Sequence, residues 1–179
     1  MTDTTTVPTT LRREWAAVAA AMAFLAVGGA WLLALTLDGQ GAVLLGVLAD
    51  LIRLSAWGIV DLADAVWIAT GFASVRWLPP VAAVSAFQLW FAYRHLDANR
   101  PNGADTRVAV HRSLGLPNLV TLGRGGLVAA LAGFGTLTPR PEIAWLPAVL
   151  YGTACGLDSL DGFLARRTQR TTLLGAKLD

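Results

Sequence analysis

Long apolar stretches separated by short polar ones set the plan of this chain. The first runs from Trp15 to Leu37, 23 residues, and stops at Asp38-Gly39-Gln40-Gly41. About 20 such residues are enough for a helix to cross the hydrocarbon core of a bilayer. A second stretch, Ala42 to Val75, is apolar but interrupted by charge. Pro79-Pro80 should then break the helix, because proline removes backbone donors and crowds the preceding turn. Val81 to Tyr93 reads as a further span if its run starts near Trp77. After a polar stretch come two more apolar helices, Leu116 to about Leu137 and Ile143 to about Leu164, joined by the turn Thr138-Pro-Arg-Pro141. The predicted fold class is all-α, a polytopic transmembrane helical bundle.

Composition points the same way. The 179 residues are 55% hydrophobic and 15% charged, whereas soluble domains carry roughly 25% charged residues. Too few charges are present to cover a water-soluble domain of this size. Fourteen basic residues against twelve acidic ones leave +2, which is no basic patch, so no nucleic-acid partner is expected. The single cysteine, Cys155, excludes an internal disulfide and CxxC chemistry, and reads as a small buried packing residue.

The placement of charge gives a topology. Arg12 and Arg13 precede the first span. A secretory signal has an apolar core of only about 7 to 15 residues, so a retained signal anchor is favoured over a cleaved signal. The positive-inside rule puts these arginines in the cytoplasm. It does the same for the basic linker 94–116, which holds Arg94, Arg100, Arg107 and Arg112. The N-terminal membrane block, residues 1–93, must then cross an even number of times: two spans plus an interfacial helix, or four tight spans. Within it Asp50, Arg53, Asp61 and Asp64, with Trp57, fall on one helical stripe. An interfacial amphipathic helix, or a local Asp50–Arg53 pair on a seam facing a neighbour, is favoured over a path for ions or protons. His95 and His111 have no partners at metal-ligand spacing and read as solvated linker residues.

The chemistry lies in residues 117–179. Pro117 suits the first turn of a helix, and Asn118, Thr121 and Gly125 share a face near that end. Gly123-Arg124-Gly125-Gly126 lacks the Gly-Lys-Ser/Thr end of a phosphate-binding Walker loop. Gly152 and Gly156 form a G-x-x-x-G pair that allows close approach of another helix. At the far end of the second helix, Asp158 and Asp161 are three residues apart and project from one face. Two adjacent carboxylates repel unless a cation sits between them, and hard oxygen ligands suit magnesium, manganese or calcium. Gly162 and Ala165 leave room beside them, and Arg166 offers a planar fork that matches phosphate. Gly175 lies four residues before a third carboxylate, Asp179. The pattern suggests a divalent-metal site for a phosphate-bearing ligand. The competing reading is a solvated helix end whose arginines, Arg166, Arg167 and Arg170, only signal topology.

The run from Asp158 to Asp179 resembles the signature of the CDP-alcohol phosphatidyltransferase family, D-x2-D-G-x2-A-R-x8-G-x3-D-x3-D. Seven of its eight fixed positions are present at the family's spacing. Pro117-Asn118 to Arg124 is similar to the P-N-x-x-T-x-x-R opening of that family's first core helix, one helical hairpin upstream. The resemblance covers about residues 112 to 179. It implies a six-helix membrane core, of which residues 117–179 would supply two helices and the start of a third. It also implies transfer of a phosphatidyl-type group from a CDP-linked lipid, such as CDP-diacylglycerol or CDP-archaeol, to an alcohol acceptor with release of CMP. Asp158, Asp161 and Asp179 would hold Mg2+ or Mn2+. Gly162, Ala165 and Arg166 would cradle the CDP, Gly175 would allow close approach, and Asn118, Thr121 and Arg124 would line the same pocket. The family's general base is a fourth aspartate four residues beyond Asp179, so no catalytic base is assigned here and the chain by itself is expected to be inactive. It would be a fragment, a remnant, or one half of a split enzyme completed by a C-terminal chain; a homodimer is a further expected assembly. The expected location is the cell membrane, multi-pass among membrane lipids, with the active site on the cytoplasmic side. Two other classes compete. An intramembrane prenyltransferase needs a second aspartate cluster, for which Asp61 and Asp64 have the wrong spacing. A non-enzymatic polytopic membrane subunit would use the Asp50 to Asp64 seam instead.

Overall fold

The computed structural model describes residues 7–37, 73–101, 108–168 and 172–178. The stripe from Asp50 to Asp64 lies outside the described residues, as does Asp179. Among the described residues all regular elements are helical: α1 (Thr9–Leu37), α2 (Ala73–Arg94), a 3-10 turn (Leu96–Ala98), α3 (Gly115–Phe134), α4 (Leu146–Thr168) and the short α5 (Leu173–Leu178). Helix α3 is central, with α2 and α4 packed on it, α1 on α2, and α5 against its beginning.

Two apolar clusters hold the row together at opposite ends. One gathers Leu11 of α1, Ala92 of α2, Leu122 of α3 and Leu174 of α5 with Leu96, Ala98, Val110 and Leu114. The other joins Ala30 and Leu33 to Trp77, Val81 and Ala129. The start of α1, the end of α2 and the start of α3 therefore share one end, so α2 runs antiparallel to both neighbours. That end is tied by the Thr10 hydroxyl, which donates to the carbonyl of Arg112 at 2.9 Å, and by the Glu14 carboxylate, which accepts the Leu114 N–H at 2.8 Å. The carboxylate meets one of the unpaired donors that open a helix, where the backbone dipole favours negative charge. The chain enters α3 through Gly115 at φ 78°, a left-handed conformation that a side chain would strain.

At the other end Trp77 is 4% exposed and donates from Nε1 to the Ala130 carbonyl at 3.2 Å. Two glycines make its slot: a Cβ on Gly29 would stand 2.8 Å from its ring, and one on Gly133 2.6 Å. In lipid, helix association rests on packing of this kind rather than on transfer of apolar surface out of water. Gly133→Ala is expected to destabilise the protein by about 1 to 3 kcal/mol through overpacking, read as a lowered denaturation midpoint of the purified chain in detergent.

The structure corrects several expectations. Helix α2 passes straight through Pro79 and Pro80. Pro80 has no N–H for the carbonyl of Arg76, four residues back, and the Thr136 hydroxyl donates to that carbonyl instead, at 2.9 Å. A neighbouring side chain thus supplies what the proline removes. The linker histidines are only partly solvated. Both are half-buried, because the linker folds back over the helix ends, and the His95 ring lies on Phe91 with its Nδ1 2.9 Å from the Phe91 carbonyl. Cys155 is exposed, not buried; its neighbour Ala154 takes the buried position on α4. Among the described residues nothing lies within 4 Å of a Cβ built on Gly152 or Gly156, so no helix of the described chain uses the G-x-x-x-G pair.

Candidate functional site

Helices α3 and α4 run antiparallel, which brings the first half of α3 beside the second half of α4. Arg124 on α3 there forms an ion pair with Asp158 on α4, Nη1 to Oδ1. The two belong to the two separate sequence patterns, 34 residues apart. The arginine side chain is 20% exposed and the carboxylate 59%, so the pair lies in reach of solvent and contributes at most about 1 kcal/mol. A stronger partner could displace it at small cost.

The pair sits in an open cleft of about 740 Å³, within the usual range for ligand pockets. Helix α3 contributes Thr121, Arg124, Gly125 and Val128; α4 contributes Tyr151, Ala154, Cys155, Asp158 and Ser159; α5 adds Lys177 and Leu178. The remaining wall comes from α2, through Val84, Phe87, Gln88 and Phe91. Thr121 is 5% exposed, and its hydroxyl donates back to the Pro117 carbonyl at 3.2 Å. Of the expected site residues, the structure therefore brings Thr121, Arg124 and Asp158 to one cleft.

Asn118 and Gly175 are placed differently. Asn118 is 2% exposed and donates from Nδ2 to the Asn99 side-chain oxygen at 3.1 Å and the Leu114 carbonyl at 2.8 Å. Its own oxygen accepts from the Thr172 hydroxyl at 3.2 Å. The oxygen of Thr172 accepts the Gly175 N–H at 3.0 Å, the geometry of a threonine N-cap on the helix that follows. A Cβ on Gly175 would stand 2.9 Å from the Asn118 oxygen, so this glycine admits the asparagine. Asn99, fully buried, also donates to the Ser113 carbonyl at 2.8 Å. The network ties linker, α3 and α5 together and sets where Lys177 stands.

Asp161, Ala165 and Arg166 lie on α4 within one to two turns of Asp158, and Gly162 beside them is half-buried. The side chains of Asp161, Ala165 and Arg166 are outside the described residues. Among the described residues no group of three His, Cys, Asp or Glu side chains could hold a metal ion. The donor chemistry suits an oxygen-preferring ion, and Asp158 is the one expected ligand whose carboxylate the structure places, open to the cleft.

Residues 114–179 match the CDP-alcohol phosphatidyltransferase family. The match takes in α3, α4 and α5, and so both sequence patterns and the Arg124–Asp158 pair. CDP-alcohol phosphatidyltransferases transfer a substituted phosphate group from a CDP-alcohol to a second alcohol in phospholipid biosynthesis, and use divalent metal ions. Among curated proteins and solved structures, nothing matches the chain at a significant level.

Sequence reasoning missed Lys177 and Gln88. Lys177 sits in the three-residue gap between Gly175 and Asp179, where the family pattern is silent. Gln88 left a clearer trace, as a lone amide in the apolar run Val81 to Phe91; a polar group among apolar ones is costly to bury unless it is hydrogen-bonded.

Proposed function

We propose that this chain carries the CDP-lipid-binding part of a membrane enzyme of phospholipid biosynthesis, which moves a phosphatidyl-type group onto an alcohol with release of CMP. The observation that carries the reading is the meeting of Arg124 and Asp158, one from each matched motif, at a cleft that is charged at one end and apolar along its side.

Asp158, with Asp161 and Asp179, would hold the Mg2+ or Mn2+. When bound, such an ion neutralises the pyrophosphate and stabilises the leaving phosphate. The Arg124 guanidinium orients the Asp158 carboxylate until a ligand arrives. Because that pair is open to solvent on its Asp158 side and weak, the arginine can then turn its fork to a phosphate oxygen. Lys177 of α5 adds a second positive charge to the cleft lining. Gly162, Ala165 and Arg166 are assigned to the CDP side, and Thr121 to the floor. Asn118 and Gly175 act at one remove, by fixing α5.

A membrane setting is supported by α1, which is long and apolar enough to cross a bilayer. At about 1.5 Å per residue its 29 residues reach about 44 Å, against a hydrocarbon core of about 30 Å. Multi-pass insertion is supported by Phe24, Leu25 and Leu32 on α1, Trp90 on α2, and Val149 and Phe163 on α4, all exposed where a bilayer would cover them. The cytoplasmic orientation of the cleft is supported by Arg12, Arg94 and Arg112, which gather at the end held by the first cluster. Equilibrium binding to the purified chain tests the reading. CDP-diacylglycerol should bind in magnesium, compete with free CDP, and be released by EDTA. Binding that ignores the metal, or no binding, overturns it.

A further inference from the structure

The family match begins at residue 114, yet one wall of the cleft comes from α2, which ends at Arg94. Val84, Phe87 and Phe91 stand at i, i+3 and i+7 on that helix, one face by helical periodicity, and all three line the cleft. With Val128 of α3 and Tyr151 of α4, they make its apolar part. Arg124 and Lys177 against Asp158 leave its charged end net positive, which suits an anionic phosphate.

Gln88 lies on the same face. Its Nε2 donates to the Leu122 carbonyl at 3.1 Å, which fixes the orientation of the amide. Its flat amide fills the space where a side chain on Gly125 would collide. Its Oε1 is buried with no hydrogen-bond partner among the described residues. The amide packed against Gly125 and bonded to Leu122 thus fixes how α2 and α3 meet beside the cleft.

We infer that α2, outside the matched segment, forms the bed for one hydrocarbon chain of the same lipid whose phosphate sits at Arg124 and Lys177, with Gln88 as the residue that positions this wall. The inference rests on the function proposed above and adds that the N-terminal block selects the lipid part of the substrate. The occupant follows from the grading of the cleft, since an amphipathic lipid matches both its ends while a soluble nucleotide leaves the α2 wall bare.

The test compares CDP-diacylglycerol with free CDP in magnesium, on the full chain in detergent. Val84→Trp, which fills the bed, should weaken CDP-diacylglycerol by about tenfold or more and leave CDP within about twofold. Ala86→Trp, on an exposed face of α2, should change neither. Phe87→Ala should weaken the lipid selectively and serves in place of Val84→Trp should that variant not fold. In the unaltered protein affinity should rise with chain length of the CDP-lipid, and in Val84→Trp that rise should flatten. Lipid affinity unchanged in both variants, or lipid and CDP affinity lost together, overturns the inference. So does a change of oligomeric state in Val84→Trp with lipid affinity kept, which would make the face a contact between copies. An unaltered protein that binds neither ligand instead sinks the underlying function, a distinguishable result.

Discussion

Replacing Asp158 by alanine is expected to lower the magnesium-dependent affinity for CDP-diacylglycerol and for free CDP by about 100-fold or more, the scale of losing a metal's supporting ligands. The carboxylate is the one expected metal ligand that the structure places in the cleft, and it also orients Arg124. Its removal takes away an exposed carboxylate and leaves the Arg124 guanidinium, 20% exposed, within reach of water at the cleft, so stability should fall by at most about 1 kcal/mol. A large loss of binding with a small loss of stability is the signature sought. Asp158→Asn keeps size and loses charge, and should behave like alanine in binding, because a neutral amide is a poor ligand for a hard cation. Asp161→Ala should give the same pattern. Titration with and without magnesium, alongside a denaturation curve, reads both quantities. Affinity within about twofold of the unaltered protein would remove Asp158 from the site.

Asn118→Leu should have the opposite signature. The substitution takes the donor from the Asn99 oxygen and the acceptor from the Thr172 hydroxyl, both within a buried network. Each buried polar group left unpaired costs about 1 to 3 kcal/mol, so about 2 to 6 kcal/mol of stability should be lost. Ligand affinity measured well below the melting transition should fall far less than in Asp158→Ala, since Asn118 is held away from the cleft. If instead stability is kept and CDP binding is lost, the asparagine is a ligand group and the structural role assigned to it is wrong.

These two residues show which parts of the site were legible in sequence. Asp158, which lines the cleft, was readable as a candidate because the pattern around it is local: a second carboxylate three residues on, small residues beside it and an arginine one turn further. The helices that carry it were readable to within a few residues, α3 beginning at Gly115 where Pro117 marked its first turn, and α4 ending at Thr168 instead of Leu164. Asn118 was not readable, because its partners are 19 and 54 residues away in sequence and no local pattern names them. Pro79-Pro80 misled for a related reason: the group that repairs the backbone, Thr136, is 60 residues from the carbonyl it bonds. Cys155 misled because a small residue in an apolar helix looks buried unless the cleft beside it is known. The Arg124–Asp158 meeting lay between. Each half was marked by its own motif, but only the antiparallel packing of α3 on α4 makes them one site.

The hydrogen-bonded chain from Asn99 through Asn118 and Thr172 to the Gly175 N–H has a consequence for modularity. A boundary drawn at residue 114, where the family match starts, cuts through this chain, strands the Leu114 N–H that Glu14 now receives, and removes α2 from the side of the cleft. The matched segment is therefore not a detachable cassette. Its N-terminal neighbour is scaffold as well as anchor, and grafting these helices onto another membrane protein would have to carry Asn99, or a replacement for it, along with them.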